Sequence, residues 1–322
     1  MKTSGNFTRL VQKHLEAVEQ LMRHQADSYQ PDIGSALDIL LSSGGKRIRP
    51  TLSLLVGSML HADIDRLITL SAAIELLHTA TLVHDDLIDG ALLRRGNPTL
   101  NSQWSAGATV LTGDFLFARA ARLAADTDSL PVIKLFSQTL AVIVNGEIAQ
   151  LFAGRCLPDK EKYFQRIYAK TASLMETAAT GAAMISAAGE AVIEQMRQFG
   201  YALGMAFQII DDILDYTGNQ GQLGKPVGGD LRQGLITLPA IYYIEGHPGE
   251  NEAKALAIGK CLQDEEIANF VEKVRTSEAV ARAHGDARNF VEQALVHLRD
   301  QPAGEYRQAL ESLAYYIVER EL

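Results

Sequence analysis

Cysteine is scarce in this sequence: 322 residues include only two, Cys156 and Cys261. They match no metal-ligand spacing and suggest no disulfide framework, which fits a reducing, cytoplasmic setting. Proline is also scarce, with nine residues, and aromatics make up 7%. That speaks against an all-β design of many short strands and turns. No run of about 18 unbroken apolar residues occurs, so no transmembrane helix is expected. Residues Met1 to His14 have no apolar signal core, because Lys13 and His14 interrupt it. Basic residues number 30 against 39 acidic ones, a net charge of −9. Such a chain is a poor non-specific binder of nucleic acid. If its substrate is also an anion, the local sign must be reversed by a divalent metal and a basic cluster.

What is abundant is helix-forming sequence. Ala, Leu, Glu and Gln are plentiful, and helical periodicity recurs almost throughout. It covers Phe7 to Met22, Ile33 to Leu41, Leu52 to Leu60, Leu67 to Asp89, Ala108 to Ala125, Val132 to Phe152, Ile167 to Ala188 and Val192 to Tyr216. Further segments run over Leu238 to Ile244, Glu252 to Leu262, Glu265 to Thr276, Ser277 to Asp300 and Glu305 to Glu319. Breaks fall at Gly44-Gly45, Gly96-Asn97-Pro98, Leu157-Pro158, Gly218 to Gly234 and His247-Pro248-Gly249. Alternating strands are absent. The expectation is one all-α domain over 1–322, with roughly a dozen helices. Leu67 to Val83 and Val132 to Val144 are apolar nearly all round, which places them inside a bundle.

Two acidic motifs echo each other: Asp85-Asp86-Leu87-Ile88-Asp89 and Asp211-Asp212-Ile213-Leu214-Asp215. On a helix, residues i and i+4 share a face. Asp85 thus stacks on Asp89, and Asp211 on Asp215. Like charges amid Leu82, Val83, Leu87 and Ile88 are costly unless a cation neutralises them. Mg²⁺ suits such a site, since it takes one or two carboxylates with water and phosphate oxygens. One motif alone reads equally well as a solvated helix end; two copies in apolar helices do not.

Basic residues flank the acids. Arg94-Arg95-Gly96-Asn97-Pro98 follows the first motif, and two arginines can fork onto diphosphate oxygens. In Gly44-Gly45-Lys46-Arg47-Ile48-Arg49-Pro50, Pro50 suits the first position of a helix, with Lys46 and Arg49 beside an anion-attracting N-terminus. His78 lies two turns before Asp85 and Gln208 three residues before Asp211. Lys170-Thr171 interrupts an apolar helix. The glycine-rich stretch from Gly224-Lys225 to Leu231 reads as a lid.

These motifs, in this order, resemble the trans-isoprenyl diphosphate synthases, the head-to-tail prenyltransferases, over most of the chain. Gly146-Glu147 and Phe207-Gln208-x-x-Asp-Asp-x-x-Asp belong to the match. The resemblance implies an isoprenoid synthase fold: a large bundle of mostly antiparallel helices around a deep central cavity, usually a homodimer. It implies Mg²⁺ on Asp85, Asp86, Asp89, Asp211, Asp212 and Asp215. Arg94, Lys170 and Lys225 would hold the allylic diphosphate, with Thr171 and Gln208 beside the reacting carbon. Lys46, Arg49, His78 and Arg95 would hold isopentenyl diphosphate. Lys170, Thr171 and Gln208 would carry the catalysis. Many members carry lysine where this chain has Leu235, which puts one allylic phosphate contact in doubt.

Chain length follows from the residues before Asp85. Short-chain members usually place a bulky aromatic there, whereas Ala80 and Thr81 are small. The resemblance therefore implies a long product, C30 to C50, with Leu77 and Ile74 deeper and Phe136 as a candidate floor. The alternatives are a farnesyl or geranylgeranyl synthase, a terpene cyclase, or a non-catalytic subunit of a heteromeric synthase. The second Asp-Asp-x-x-Asp disfavours a cyclase, and the retention of both motifs disfavours a non-catalytic subunit. Transient membrane contact as product leaves is compatible with all of this.

Overall fold

The computed structural model describes residues 6–42, 44–94, 96–218 and 227–320. Its helices are α1 (Asn6–Arg9), α2 (Gln12–Arg23), α3 (Pro31–Ser42), α4 (Ile48–Met59), α5 (Ile64–Ile88), α6 (Leu100–Gln103), α7 (Ala106–Asp126), α8 (Leu130–Phe152) and α9 (Lys160–Ile167). They continue with α10 (Ser173–Ile185), α11 (Glu190–Thr217), α12 (Gly229–Arg232), α13 (Leu238–Gly246), α14 (Asn251–Ala257), α15 (Asp264–Thr276), α16 (Glu278–Leu298) and α17 (Glu305–Glu319). A two-residue hairpin, β1 (Leu93–Arg94) with β2 (Asn97–Pro98), is the only sheet among the described residues. The chain is all-α, as its periodicity predicts.

Two compact units are present, each assembled from three separated segments. The first comprises Met1–Leu140, Leu174–Gly200 and His297–Leu313. Its axis is α5, packed by α2, α4 and α7. Leu67, Leu70, Ile74, Leu76, Leu77 and Ala80 on α5 are all buried. Each fully buried leucine or isoleucine there contributes about 1.5–3 kcal/mol. Two charges, Glu75 and Asp86, are buried on this helix, and Glu75 takes a hydrogen bond from Arg47 at 2.9 Å. Arg47 also reaches Glu19 and the Leu41 carbonyl. A buried carboxylate without such a partner would be strongly destabilising.

The second unit comprises Ala141–Ser173, Tyr201–Val296 and Ala314–Leu322. Its core gathers Tyr163, Ile167, Met205, Ile209, Tyr216, Tyr243 and Phe270.

Several expectations need correction. The Phe7 to Met22 segment is two helices, α1 and α2. Helix α4 starts at Ile48, so Pro50 is its third residue, where its missing N–H still has no intrahelical acceptor to lose. Helix α14 stops at Ala257 rather than Leu262, because Gly259 turns the chain at φ +77°. Helix α9 is not among the expected segments: its apolar stripe of Tyr163, Phe164 and Ile167 is only two turns long, too short for periodicity to mark. Helices α5 and α8 are each long and apolar enough to cross a membrane by length and composition; scattered charges such as Arg66, Glu75, Lys134 and Glu147 conceal this in a search for unbroken runs. Within α5, two-thirds of that apolar stretch is buried inside the protein, as in a core helix.

Cys156 and Cys261 form a disulfide, with Cα atoms 5.3 Å apart. Sequence spacing could not reveal it, since 105 positions separate the pair and only folding brings them together. The bridge takes away the cysteine-based support for a reducing compartment.

Candidate active site

The first acidic motif closes α5. Asp89 is the residue that caps the helix C-terminus, and Gly90 follows at φ +63°. Gly90 N–H donates to the Leu87 carbonyl and Ala91 N–H to the Asp86 carbonyl. This is a Schellman ending, and its left-handed position is one that glycine occupies without strain. Three carboxylates therefore sit at the negative end of a helix whose last turn contains no basic residue. That placement repels them further and favours a cation.

The hairpin returns Arg94 onto this end. Its Nε and Nη2 lie 2.8–2.9 Å from the carboxylate of buried Asp86. Thr99 donates its hydroxyl to the Ala91 carbonyl and fixes the return. Asp86, expected as a metal ligand, is thus neutralised inside the protein. Asp85 is half-buried and Asp89 exposed. Arg94 retains Nη1 beyond the pair, since a guanidinium carries five donors. His84, beside Asp85, meets the Val110 carbonyl at 3.1 Å and anchors this end of α5 to α7.

Upstream, Lys46 is exposed in the loop after Gly44-Gly45, and Arg49 lies in the first turn of α4. The loop is held by Arg47, in left-handed geometry at φ 47° and tied to Glu19 and Glu75. His78, half-buried on α5, accepts the Thr81 hydroxyl proton at its backbone carbonyl, 2.8 Å away. Ala80, Leu77, Ile74 and Phe136 are buried and Thr81 half-buried. Arg95 and Lys225 lie outside the described residues.

In the second unit, α9 leads into a π-helical turn, Tyr168–Ala172, which presents Lys170 and Thr171. Such bulges recur at functional sites. Lys170 pairs with Glu147 at 3.3 Å. Helix α11 approaches this turn closely at Gly204, where a Cβ would lie 2.5 Å from the Ala172 Cα. One turn on, Gln208 accepts the Thr171 hydroxyl proton at Oε1, 2.6 Å away. Its Nε2 donates to Asp212 at 2.7 Å, and Tyr163 donates to the other oxygen of Asp212 at 2.7 Å. Thr171, Gln208, Asp212 and Tyr163 form one chain of hydrogen bonds.

Burial pushes the Asp212 carboxyl up to about 7, against the two donors that pull it down. Burial, with Asp212 close by, also holds the Tyr163 phenol well above its usual range. Asp212 therefore positions Gln208. Asp215 accepts the backbone N–H groups of Gly229 and Asp230 at 3.1 and 3.2 Å, and so organises the start of α12. Asp211 is half-exposed and receives Arg320. Leu235 is half-buried and apolar, so it brings no cation.

Among the described residues, no three His, Cys, Asp or Glu side chains gather into a ready-made metal group. Mg²⁺ does not require one. Carboxylate oxygens from Asp85 and Asp89, or from Asp211 and Asp215, completed by phosphate oxygens and water, fit its donor preference.

Sequence reasoning missed Glu147, Tyr163 and Arg320 as residues acting on the site. The Gly146-Glu147 motif does not reveal that Glu147 pairs with Lys170. The other two act through contacts more than 40 positions away in sequence.

An all-α fold with two acidic helix ends, basic loops and a buried Thr–Gln–Asp relay defines a diphosphate-handling enzyme of the isoprenoid synthase fold. The polyprenyl synthetase family model matches residues 30–274. The heptaprenyl diphosphate synthase component 2 of Geobacillus stearothermophilus is 36% identical over 314 residues, covering 95% of this chain and 96% of the relative. The geranyl-diphosphate-specific all-trans-nonaprenyl-diphosphate synthase of Rhodobacter capsulatus is 38% identical, covering 96% of each. The crystal structure of a Caulobacter crescentus polyprenyl synthase, complexed with calcium and isoprenyl diphosphate, superposes with a TM-score of 0.91 at 34% identity over 99% of both chains. The chain belongs to the polyprenyl synthetase family and is a prenyltransferase.

Proposed function

We propose that this enzyme condenses isopentenyl diphosphate head-to-tail with an allylic diphosphate, using Mg²⁺, to make an all-trans polyprenyl diphosphate of C30 to C50. The observation that carries this reading is an i, i+4 carboxylate pair towards the C-terminal end of each of two apolar helices, Asp85 with Asp89 on α5 and Asp211 with Asp215 on α11. Asp85, Asp89, Asp211 and Asp215 are the residues that would hold the metal, while Asp86 and Asp212 fix Arg94 and Gln208. The metal supplies charge neutralisation for the departing diphosphate.

The protein's own part is binding and orientation. Lys170 and Arg94 meet the allylic diphosphate, joined by Lys225; Lys46, Arg49, His78 and Arg95 meet isopentenyl diphosphate. The allylic carbon–oxygen bond breaks, and the alkene of isopentenyl diphosphate supplies the electrons of the new carbon–carbon bond. Loss of one proton then restores a double bond. The Thr171 oxygen and the Gln208 amide, oriented by Asp212 and Tyr163, provide fixed dipoles beside the developing cation. Released diphosphate can take the proton, so no side-chain base is needed.

The long product rests on Ala80 and Thr81, which leave room along α5, and on the chain lengths named in the relatives. The protein also acts as a homodimer in this reading. Helix α8 exposes Val144, Ile148, Leu151 and Phe152 on one face, and Phe152 is 87% exposed; a second copy would cover them. The same apolar face is compatible with brief membrane contact during product release.

The test is substitution of the first acid of each pair. Asp85→Asn and Asp211→Asn should each lower kcat on the order of a hundredfold or more at saturating Mg²⁺, with the melting temperature kept. Near-normal turnover in both would refute the metal assignment.

A further inference from the structure

Arg320 lies just past α17 with its side chain only 5% exposed, although nothing in the local sequence marks it. Its guanidinium stacks on the Phe207 ring, 4.1 Å from the centroid. Its Nη2 donates to the Phe207 carbonyl at 2.9 Å and to Oδ1 of Asp211. Its Nε is buried and has no hydrogen-bond partner among the described residues. The arginine is thus held by an aromatic face and a backbone carbonyl, and its charge is delivered to the first carboxylate of the second acidic motif.

We propose that Arg320 is a positioning residue that sets the divalent-metal affinity of Asp211 by acting as its resident counter-ion. This rests on the metal assignment made above. A carboxylate oxygen engaged by a guanidinium is a weaker ligand, and a fixed positive charge beside it also repels an incoming divalent cation. Both effects have the same sign. Asp211 would therefore capture a metal alone only weakly, and firm capture would require the additional oxygens of a diphosphate. The arrangement makes metal binding at this motif follow substrate binding, and limits idle loading of the free enzyme. Asp211 is half-exposed, so the effect is moderate.

The experiment is titration of the full-length protein with Mn²⁺, reading free Mn²⁺ by electron paramagnetic resonance without any diphosphate. Wild type is compared with Arg320→Gln, Arg320→Lys, Asp211→Asn and the Arg320→Gln/Asp211→Asn double variant. Arg320→Gln should bind Mn²⁺ roughly three- to tenfold more tightly, while Arg320→Lys stays near wild type. In the Asp211→Asn background the glutamine should bring no gain. Melting curves confirm that each variant is folded at the titration temperature. Unchanged or weaker Mn²⁺ binding in Arg320→Gln, with Asp211→Asn weakened in a parallel titration containing inorganic diphosphate, would overturn this inference alone. Wild-type affinity of Asp211→Asn in that diphosphate-containing titration would overturn the metal assignment, and this inference with it.

Discussion

Gln208 has both ends of its side-chain amide committed, the oxygen to Thr171 and the nitrogen to Asp212. An amide fixed in this way cannot rotate to suit a changing charge, which is the condition for preorganised stabilisation. Replacing it with leucine keeps the size but removes the dipole and leaves buried Asp212 short of a donor. Gln208→Leu should lower kcat on the order of a hundredfold while changing KM for isopentenyl diphosphate little; steady-state kinetics with both substrates varied will check this. At this scale the sequence was informative about residue types and poor about pairings. Lys170, Thr171 and Gln208 could be nominated from spacing. That Thr171 and Gln208 touch, and that Arg94 grips Asp86, depends on tertiary approach. Gly204 and the hairpin provide it, and no periodicity encodes either. Arg320 was invisible for the same reason: its importance lies in Phe207 and Asp211, about 110 positions away.

At the scale of elements, α5 combines most of the functions. It is apolar on every side, which predicts burial, and it ends in acids, which predicts a site. The cap residues Asp63 at its start and Gly90 at its end define its limits. The π-helical turn at Tyr168–Ala172 was legible only as an interruption, since the choice of π over α geometry comes from packing. The hairpin was missed because two residues per strand carry no alternation. Ala80 lies inside α5, five residues before Asp85, so a large side chain there should obstruct a product growing along the helix. Ala80→Phe should shorten the main product by at least one C5 unit, with shorter prenyl diphosphates accumulating, as measured by chromatography of the dephosphorylated alcohols. An unchanged distribution would show that the chain does not pass Ala80.

For the whole molecule, the all-α class could be read from composition and period, because helix-forming residues dominate and turns are sharply marked. The division into two compact units was not readable, since each unit mixes distant segments and α8, α10 and α11 each contribute to both. The Cys156–Cys261 bridge was likewise a product of the fold. The exposed apolar face of α8 predicts that the purified 35.1 kDa chain elutes at twice its mass in light scattering, and that Ile148→Glu with Phe152→Glu yields monomer.

The central claim is tested most directly by incubating the purified chain alone with isopentenyl diphosphate, Mg²⁺ and each allylic primer in turn, then sizing the products. The account predicts all-trans polyprenyl diphosphates of C30 to C50 from at least one primer, and none once the metal is chelated. No condensation with any primer would contradict it, and activity only after addition of a second protein would identify the chain as one part of a heteromeric synthase.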